Sequence, residues 1–184
     1  ALFCDVDKKA VISAYDVKTV YQCPVMFAEQ GVDDLIVELL HLDTAGPRDL
    51  TEWTAMLDAM ANPTDEVHIG LVGKYVEYED SYKSLKEALL HAGIRHRVKV
   101  RMSWIESEEM FWPDCVDRLT QYDGILVPGG FGKRGVEGML NAIRYAREKH
   151  VPYFGICLGM QTAVIEFARN VCGVEGADST EFDN

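Results

Sequence analysis

Short apolar segments alternate with helical patterns of apolar residues from Glu66 onward. Such alternation requires right-handed crossovers between parallel strands, and it predicts an α/β fold with a doubly wound parallel sheet. The predicted strands are 67–72, 98–104, 125–127 and 153–156, and the predicted helices are 81–92, 114–121, 136–143 and 158–171. Ligands of such sheets bind beyond the carboxyl ends of the strands. We therefore expect function in the loops at 73–75, 128–135 and 155–161.

The stretch Gly-Ile-Cys-Leu-Gly at 155–159 joins the fourth predicted strand to the last predicted helix. It is the thiol counterpart of the Gly-x-Ser-x-Gly nucleophile elbow, in which a strained turn holds the nucleophile above the sheet. The N-terminus of the following helix stabilises a thiolate, and the N–H of Leu158 is placed to donate to an oxyanion. Cys157 is thus predicted to be a nucleophile. The alternative is a buried structural cysteine.

The glycine-rich loop at 129–135 has three interpretations. Gly-x-Gly-x-x-Gly after a strand and before a helix matches a dinucleotide fingerprint, but the next strand ends without the carboxylate that binds the ribose. A glycine turn with exposed Lys133 and Arg134 is the simplest alternative. We favour a third interpretation. Because Gly129 and Gly130 have no side chains, a backbone N–H of this loop can point at the elbow and complete an oxyanion hole with Leu158.

Composition limits the partners and the compartment. Thirty acidic residues against eighteen basic ones give a net charge of -12, so we predict no nucleic-acid partner. Five scattered cysteines without Cys-x-x-Cys favour a reducing cytoplasm and indicate neither a disulfide framework nor a metal site. No membrane span or signal peptide is predicted. The chain opens inside an apolar segment without an initiator methionine, which suggests a piece of a longer protein.

The chain is predicted to contain three parts. Residues 1–43 begin with a short strand at 1–4 and include a helix after Gly31, for which Asp33 or Asp34 is the expected N-cap. Residues 44–65 form a linker with one helix, for which Asp49 and Glu52 predict a capping box. Residues 66–184 contain the strand–helix alternation.

Two strings now carry a resemblance to a known family. Leu-Val-Pro-Gly-Gly-Phe-Gly at 126–132 and Pro-Tyr-Phe-Gly-Ile-Cys-Leu-Gly-Met-Gln at 152–161 resemble the class I glutamine amidotransferases. The longer string at 128–139, Ser-Thr-Glu-Phe at 179–182 and the opening Ala-Leu-Phe-Cys are similar to the CTP synthase family. The resemblance implies a flavodoxin-like glutaminase fold preceded by a fragment of a second α/β domain. It assigns 1–43 to the tail of the synthetase (amidoligase) domain, 44–65 to the interdomain connector and 66–184 to the first part of the glutaminase domain.

The resemblance also implies roles for individual residues. Cys157 would attack the side-chain amide of glutamine, while Gly130 and Leu158 would hold the oxyanion. The implied glutamine-binding residues are Gly130, Phe131, Leu158, Gly159, Met160, Gln161 and Glu181. For Glu181 there is a chemical reason as well, because a carboxylate near the pocket can pair with the α-ammonium of the substrate.

For the intact enzyme, the resemblance implies glutamine hydrolysis that supplies ammonia for the ATP-dependent amination of UTP to CTP. Tyr15, Asp16 and Val17 would contact the adenine of ATP, and the Mg2+ ligands would lie outside this segment. A mobile lid near a GTP effector would correspond to the loop at 73–80. The implied partners are L-glutamine, UTP, ATP and the rest of the same enzyme, in a cytoplasmic homotetramer.

This sequence departs from the family in one respect. Class I members complete the triad with a downstream His-x-Glu, whereas all five histidines here precede Cys157 and none begins that motif. We interpret them as surface or packing residues, and we expect the isolated segment to be inactive. Cys157 is still expected to react faster with small electrophiles than Cys4 or Cys172, whose apolar neighbours predict burial. The alternatives are a non-catalytic interaction segment and another elbow-cysteine hydrolase of the same fold.

Overall fold

The computed structural model describes residues 3, 5–43, 46–74 and 79–182, with the side chains of 79, 80, 113 and 114 left aside. The chain divides into two compact units, Ala1–Asn62 and Pro63–Asn184. The subdivision at 43 and 65 stays a prediction, and the strand predicted at 1–4 lies largely outside the described residues. Within the described ranges, no helix has the length and apolar character needed to cross a membrane.

The first unit is helical in the part that the structure describes. Its helices are α1 (Cys23–Glu29), α2 (Val32–Leu40) and α3 (Thr51–Ala61), with 3-10 turns at Lys8–Ala10 and Val20–Gln22. Among the described residues of this unit, only Met26 is buried. Helices that bury so few of their described side chains remove little apolar surface from water. This limits the stability that the unit gains from its own packing.

Two predicted helix caps in the first unit are wrong. Gly31, at φ 69°, is the N-cap of α2, because glycine takes the left-handed conformation that joins α1 to α2. Asp33 lies in the first turn, where its carboxylate accepts from Arg48 at 2.6 Å. The capping box of α3 does not form as predicted, since Leu50 is the N-cap and Asp49 accepts from the N–H of Thr51 at 2.8 Å.

The second unit contains the predicted parallel sheet. Its strands are β1 (Asp65–Gly73), β2 (Val98–Glu106), β3 (Gly124–Val127) and β4 (Tyr153–Gly155). All pairings are parallel, and the strand order is β2-β1-β3-β4. The predicted doubly wound fold is confirmed. Strand order changes direction between β1 and β3, so right-handed crossovers place the connecting helices on opposite faces and leave a crevice at this point.

The helices of this unit are α4 (Lys83–His96), α5 (Val136–Lys149) and α6 (Leu158–Asn170), with 3-10 segments at Glu79–Tyr82, Ser107–Met110 and Pro113–Gln121. The sequence predicts that this helix ends at residue 92, before Gly93. This is wrong, because α4 continues to His96 and is capped by Arg97 in the left-handed conformation. Gly93 serves packing instead. A Cβ there would lie 2.5 Å from the Val98 carbonyl oxygen, so the glycine lets β2 begin close to the helix.

One hydrophobic core joins β1, β3, α5 and the start of α6. It also includes Phe182 near the end of the described residues, at 4% exposure. A second link between α5 and α6 is polar: Glu166, 1% exposed, accepts two bonds from the guanidinium of Arg147. These contacts fix α6, and with it the turn that precedes α6, relative to the sheet.

Candidate active site

The turn between β4 and α6 has the geometry of a nucleophile elbow. Cys157 has φ 52° and ψ −108°, a conformation that is strained for any residue with a Cβ. The Cys157 side chain is exposed, and α6 begins at the next residue. This strained backbone conformation therefore places a free thiol outside the core, at the carboxyl end of β4 and at the N-terminus of α6.

Two glycines make the elbow possible because the backbone of α6 passes directly over the sheet. A Cβ on Gly155 would lie 2.5 Å from the carbonyl carbon of Gly159, and a Cβ on Gly159 would lie 2.0 Å from the Val127 carbonyl oxygen. No side chain fits in either place. Both glycines of Gly-x-Cys-x-Gly are thus required by the packing of backbone against backbone.

Three hydrogen bonds fix the first turn of α6. The Tyr153 hydroxyl donates to the Gly159 carbonyl at 2.7 Å, and the Thr162 hydroxyl donates to the Leu158 carbonyl at 2.8 Å. The N–H of Ile156 donates to the Val127 carbonyl at 3.0 Å. Burial raises the pKa of Tyr153 far above its ordinary value, so its hydroxyl remains a donor at every physiological pH.

The glycine loop at 129–135 adjoins the elbow. A Cβ on Gly129 would lie 3.6 Å from the Cβ of Cys157, and a Cβ on Gly130 would lie 3.2 Å from a methyl group of Leu158. Gly130 and Leu158, the two predicted oxyanion donors, are therefore neighbours across β3 and β4. Their role in holding an oxyanion stays a prediction.

Polar side chains hold the glycine loop in place. The ammonium of Lys74 donates to the carbonyls of Phe131, at 2.9 Å, and Gly132. The N–H of Gly132 donates to Glu181 at 2.9 Å. Arg134 donates to the Lys74 carbonyl and, at 2.7 Å, to Glu108. Side chains from the carboxyl end of β1 and from the segment after α6 thus meet at one loop.

The other residues predicted to bind glutamine lie on or beside these two segments. Phe131 and Met160 are 76% and 55% exposed, which leaves both side chains open to a ligand. The N–H of Gln161 donates to the Cys157 carbonyl. Glu181 reaches the loop through its carboxylate, as described above. Phe131, Met160 and Gln161 lie on loops where the sequence predicted function, Glu181 lies after α6, and the contacts of all four with glutamine stay predictions.

Tyr15, Asp16 and Val17, the residues predicted to contact ATP, lie in the first unit. They line a cavity of about 380 Å³ together with the apolar side chains of Val25, Met26 and Leu57. Tyr15 is 57% exposed. The lining also includes the polar side chains of Lys18, Gln22 and Glu29, and the assignment to ATP stays a prediction. The loop at 73–80 is described only at its ends, so the predicted lid falls largely outside the described residues.

The described structure gives the histidines roles outside the elbow. His68 is partly buried, with its ring 2.8 Å from the Ser103 hydroxyl and edge-on to Tyr122. His41 and His150 are exposed and cap α2 and α5 in the left-handed conformation. His91 and His96 are exposed on α4. These placements agree with surface and packing roles.

The predicted burial of Cys172 is wrong, because Cys172 lies exposed just after α6. Cys4, the other cysteine predicted to be buried, lies outside the described residues.

The loop at 73–75 was predicted to be functional, but the burial of Lys74 and its contacts with the glycine loop were not predicted. Lys74 is 3% exposed, although a lysine after a strand normally indicates a solvated loop. Burial, more than the nearby charge of Arg134, lowers the pKa of Lys74. The available sequence signal was its position: Lys74 directly follows the apolar end of β1, beside the point where the strand order changes direction.

Comparison with protein families identifies the class of protein. Residues 77–182 match the family model described as glutamine amidotransferase class-I. Because this match covers more than half of the chain, the chain belongs to the class I glutamine amidotransferases. Residues 1–42 match a second model, described as CTP synthase N-terminus.

Individual relatives are more specific. The chain is 63% identical to the CTP synthase of Acidobacterium capsulatum and 54% identical to that of Methanocaldococcus jannaschii, in both cases over 100% of this chain. It covers 33% and 35% of those proteins, so it spans about a third of the length of these curated relatives. The resemblance inferred from the sequence is confirmed, and the alternatives of an interaction segment or another elbow-cysteine hydrolase are not favoured.

A solved structure extends the comparison to three dimensions. The glutaminase domain of Trypanosoma brucei CTPS with bound acivicin is 44% identical, with a TM-score of 0.59, over 64% of this chain and 46% of that one. The predicted glutaminase fold is therefore confirmed.

Proposed function

We propose that this chain is part of a glutamine-hydrolysing CTP synthase and that Cys157 is its glutaminase nucleophile. The observation that carries the proposal is the strained elbow. The backbone of Cys157 has φ 52°, and its exposed thiol lies between a helix N-terminus and the glycine loop. Membership of the class I glutamine amidotransferases gives this thiol a substrate class. The relatives named CTP synthase support this assignment. The family resemblance implies the wider reaction, the amination of UTP at the expense of ATP.

In the proposed reaction, the Cys157 sulfur attacks the carboxamide carbon of glutamine and forms a C–S bond. The carbonyl oxygen gains negative charge, which the N–H groups of Gly130 and Leu158 stabilise. Collapse of this intermediate breaks the C–N bond, and the nitrogen leaves as ammonia after it gains a proton. Water then hydrolyses the thioester, which releases glutamate and restores the thiol. The family resemblance assigns the proton transfers to a histidine of a His-x-Glu motif.

Binding of glutamine in this proposal uses the residues around the elbow. Glu181 pairs with the α-ammonium, and Phe131 covers the substrate. The remaining contacts come from Gly130, Leu158, Gly159, Met160 and Gln161. Because Glu181 also accepts from the N–H of Gly132, the same carboxylate contacts both the substrate and the glycine loop.

The synthetase side of the proposal rests on the first unit. Tyr15, Asp16 and Val17 line the cavity proposed to bind the adenine of ATP. Mg2+ would be held with ATP by carboxylates outside this segment and would neutralise phosphate charge when bound. The proposal also includes UTP as the acceptor of ammonia and GTP as an effector at the loop 73–80. It further includes a homotetramer and a cytoplasmic location.

The test is Cys157→Ala in the complete gene product. We expect CTP formation from glutamine to vanish, while CTP formation from added ammonia survives, because only the supply of ammonia needs the thiol. Cys172→Ala is the matched control, since Cys172 is also exposed and free, and it should leave both activities unchanged. Loss of both activities in Cys157→Ala would contradict the claim that only the supply of ammonia needs the thiol. Retention of glutamine-dependent synthesis would contradict the assignment of Cys157 as the nucleophile.

A further inference from the structure

Lys74 occupies an unusual place for a charged side chain. It follows the last residue of β1, where the strand order changes direction, and it is 3% exposed. Its ammonium donates to the carbonyls of Phe131, at 2.9 Å, and Gly132. Burying an ammonium is costly unless its donors are satisfied. The position is therefore one where the loop carbonyls compensate a charge that the fold would otherwise exclude.

The peptide group between Phe131 and Gly132 is held at both ends. Its carbonyl accepts from Lys74, and its N–H donates to Glu181 at 2.9 Å. The C=O and N–H of a trans peptide point in opposite directions, so two charged groups on opposite sides fix the plane of this peptide. Rotation of the plane would break both bonds together.

The stem of Lys74 contacts the loop as well. The Cδ and Cε atoms of Lys74 lie 3.5 and 3.8 Å from the position of a Cβ on Gly130. The same Cβ position lies 3.2 Å from a methyl group of Leu158. The stem of Lys74 and the side chain of Leu158, the first residue of α6, therefore both lie close to Gly130 on the side where a Cβ would stand.

The contact is reciprocal. Arg134, at the far end of the loop, donates to the backbone carbonyl of Lys74 and to the carboxylates of Glu106 and Glu108. Lys74 therefore holds the loop with its side chain, while the loop holds the backbone of Lys74. The end of β1 and the loop after β3 are fixed to each other across the crevice.

We infer that Lys74 is a positioning residue for glutamine hydrolysis: with Glu181 it clamps the Phe131–Gly132 peptide and so keeps the N–H of Gly130 directed at the elbow. The inference rests on the proposed function. In this role Lys74 need contact neither the thiol nor the reacting carbon. It acts through Gly130, whose N–H is needed most when charge develops on the oxygen of the substrate.

This role predicts a particular kinetic signature. A donor that is used mainly in the transition state affects kcat more than KM. Loss of one oxyanion donor typically costs about 100-fold in kcat, and a loop that samples the correct orientation for part of the time costs less. In the complete gene product we expect Lys74→Met to lower kcat for glutamine about 10-fold to 100-fold at nearly constant KM. Synthesis from added ammonia should be unchanged.

The controls separate the clamp from general effects of charge. Lys133→Met removes a lysine from the same loop. Because Lys133 is exposed, this variant should keep the kcat of the parent protein. Lys74→Arg keeps a charged donor and should recover part of the lost kcat. A rise in KM at unchanged kcat in Lys74→Met would show that Lys74 serves substrate binding, and would overturn the inference.

A second measurement needs no activity. Amide hydrogen exchange of Lys74→Met should be faster at 130–132, while amides of β1 and α6 keep their protection, because only the loop loses its clamp. The unchanged amides also report that the variant is folded. Unchanged exchange at 130–132 would overturn the clamp even if kcat fell. If the parent protein hydrolysed no glutamine, the proposed function would fail and the catalytic part of the inference with it, whereas the exchange result would still decide the clamp.

Discussion

The elbow at 155–159 and the glycine loop at 129–135 lie side by side, but they are held by different means. In the elbow, backbone packs against backbone: a Cβ on Gly159 would lie 2.0 Å from the Val127 carbonyl. In the loop, a Cβ on Gly132 would meet nothing within 4 Å, and the long side chains of Lys74 and Glu181 supply the contacts. Cys157, the proposed nucleophile, is thus held mainly by close packing of backbone against backbone, while the neighbouring glycine loop is held mainly by side chains that can change conformation.

The largest expected effect comes from adding one carbon to the elbow. Gly159→Ala places a methyl group against a backbone carbonyl that belongs to β3 and cannot move independently. We expect a loss of at least about 3 kcal/mol in the free energy of unfolding, measured by urea denaturation. Gly132→Ala is the matched variant, and it should cost only about 1 kcal/mol because the strain of φ 72° is its sole penalty. Equal losses would contradict the contrast between the two segments.

The second effect concerns the strain stored at Cys157. Glycine adopts φ 52° and ψ −108° freely, whereas alanine keeps the Cβ that makes this conformation unfavourable. We expect Cys157→Gly to be more stable than Cys157→Ala by about 1 kcal/mol, although both variants lose the thiol. Thermal denaturation of the two purified variants measures this difference. A less stable Cys157→Gly would mean that the elbow carries no strain that glycine relieves.

The smallest effect concerns the anchor below the elbow. Tyr153→Phe removes the bond to the Gly159 carbonyl and should cost about 1 kcal/mol at neutral pH. Burial raises the pKa of Tyr153 above the ordinary value of 10.0, so the folded state keeps its proton where the unfolded state loses it. The stability from neutral Tyr153 is therefore fully present below pH 10 and is lost as the pH rises beyond it.

This pH dependence is measured as a difference between two proteins. The free energies of unfolding of the parent and Tyr153→Phe should approach each other above pH 10. Other groups that titrate in this range cancel in the difference. A stability advantage of the parent over Tyr153→Phe that grew with pH would show that Tyr153 ionises more easily in the folded state and would contradict the burial of its hydroxyl.

The sheet and the elbow were accessible to sequence reasoning because each depends on local patterns. Apolar runs predicted all four strands, and Gly155 and Gly159 marked a turn that only glycine can make. Helix ends were less accessible. Gly93 indicates a stop by its intrinsic preference, but its contact with the Val98 carbonyl comes from the fold and outweighs that preference.

The contacts of Lys74 were not accessible for a similar reason. Its partners at 131 and 132 are far away along the chain, and backbone carbonyls leave no mark in the sequence. Cys172 shows the converse, since apolar neighbours suggested burial but the residue follows the end of α6 and lies exposed. Residues that act through long-range backbone contacts are the part of a site that local patterns cannot predict.

The strand order also has a consequence for biosynthesis. Strands β1 and β2 pair along their whole length and, with α4 between them, form one unit that is complete before β3 has been translated. Domains made from the N-terminus can begin to fold in this order. The elbow has no such early support, because its contacts require the Val127 carbonyl and residues at 155–159 together. A ribosome-bound chain that ends before α6 therefore contains much of the sheet but no assembled elbow, and the thiol reaches its exposed position only after its supporting strand exists.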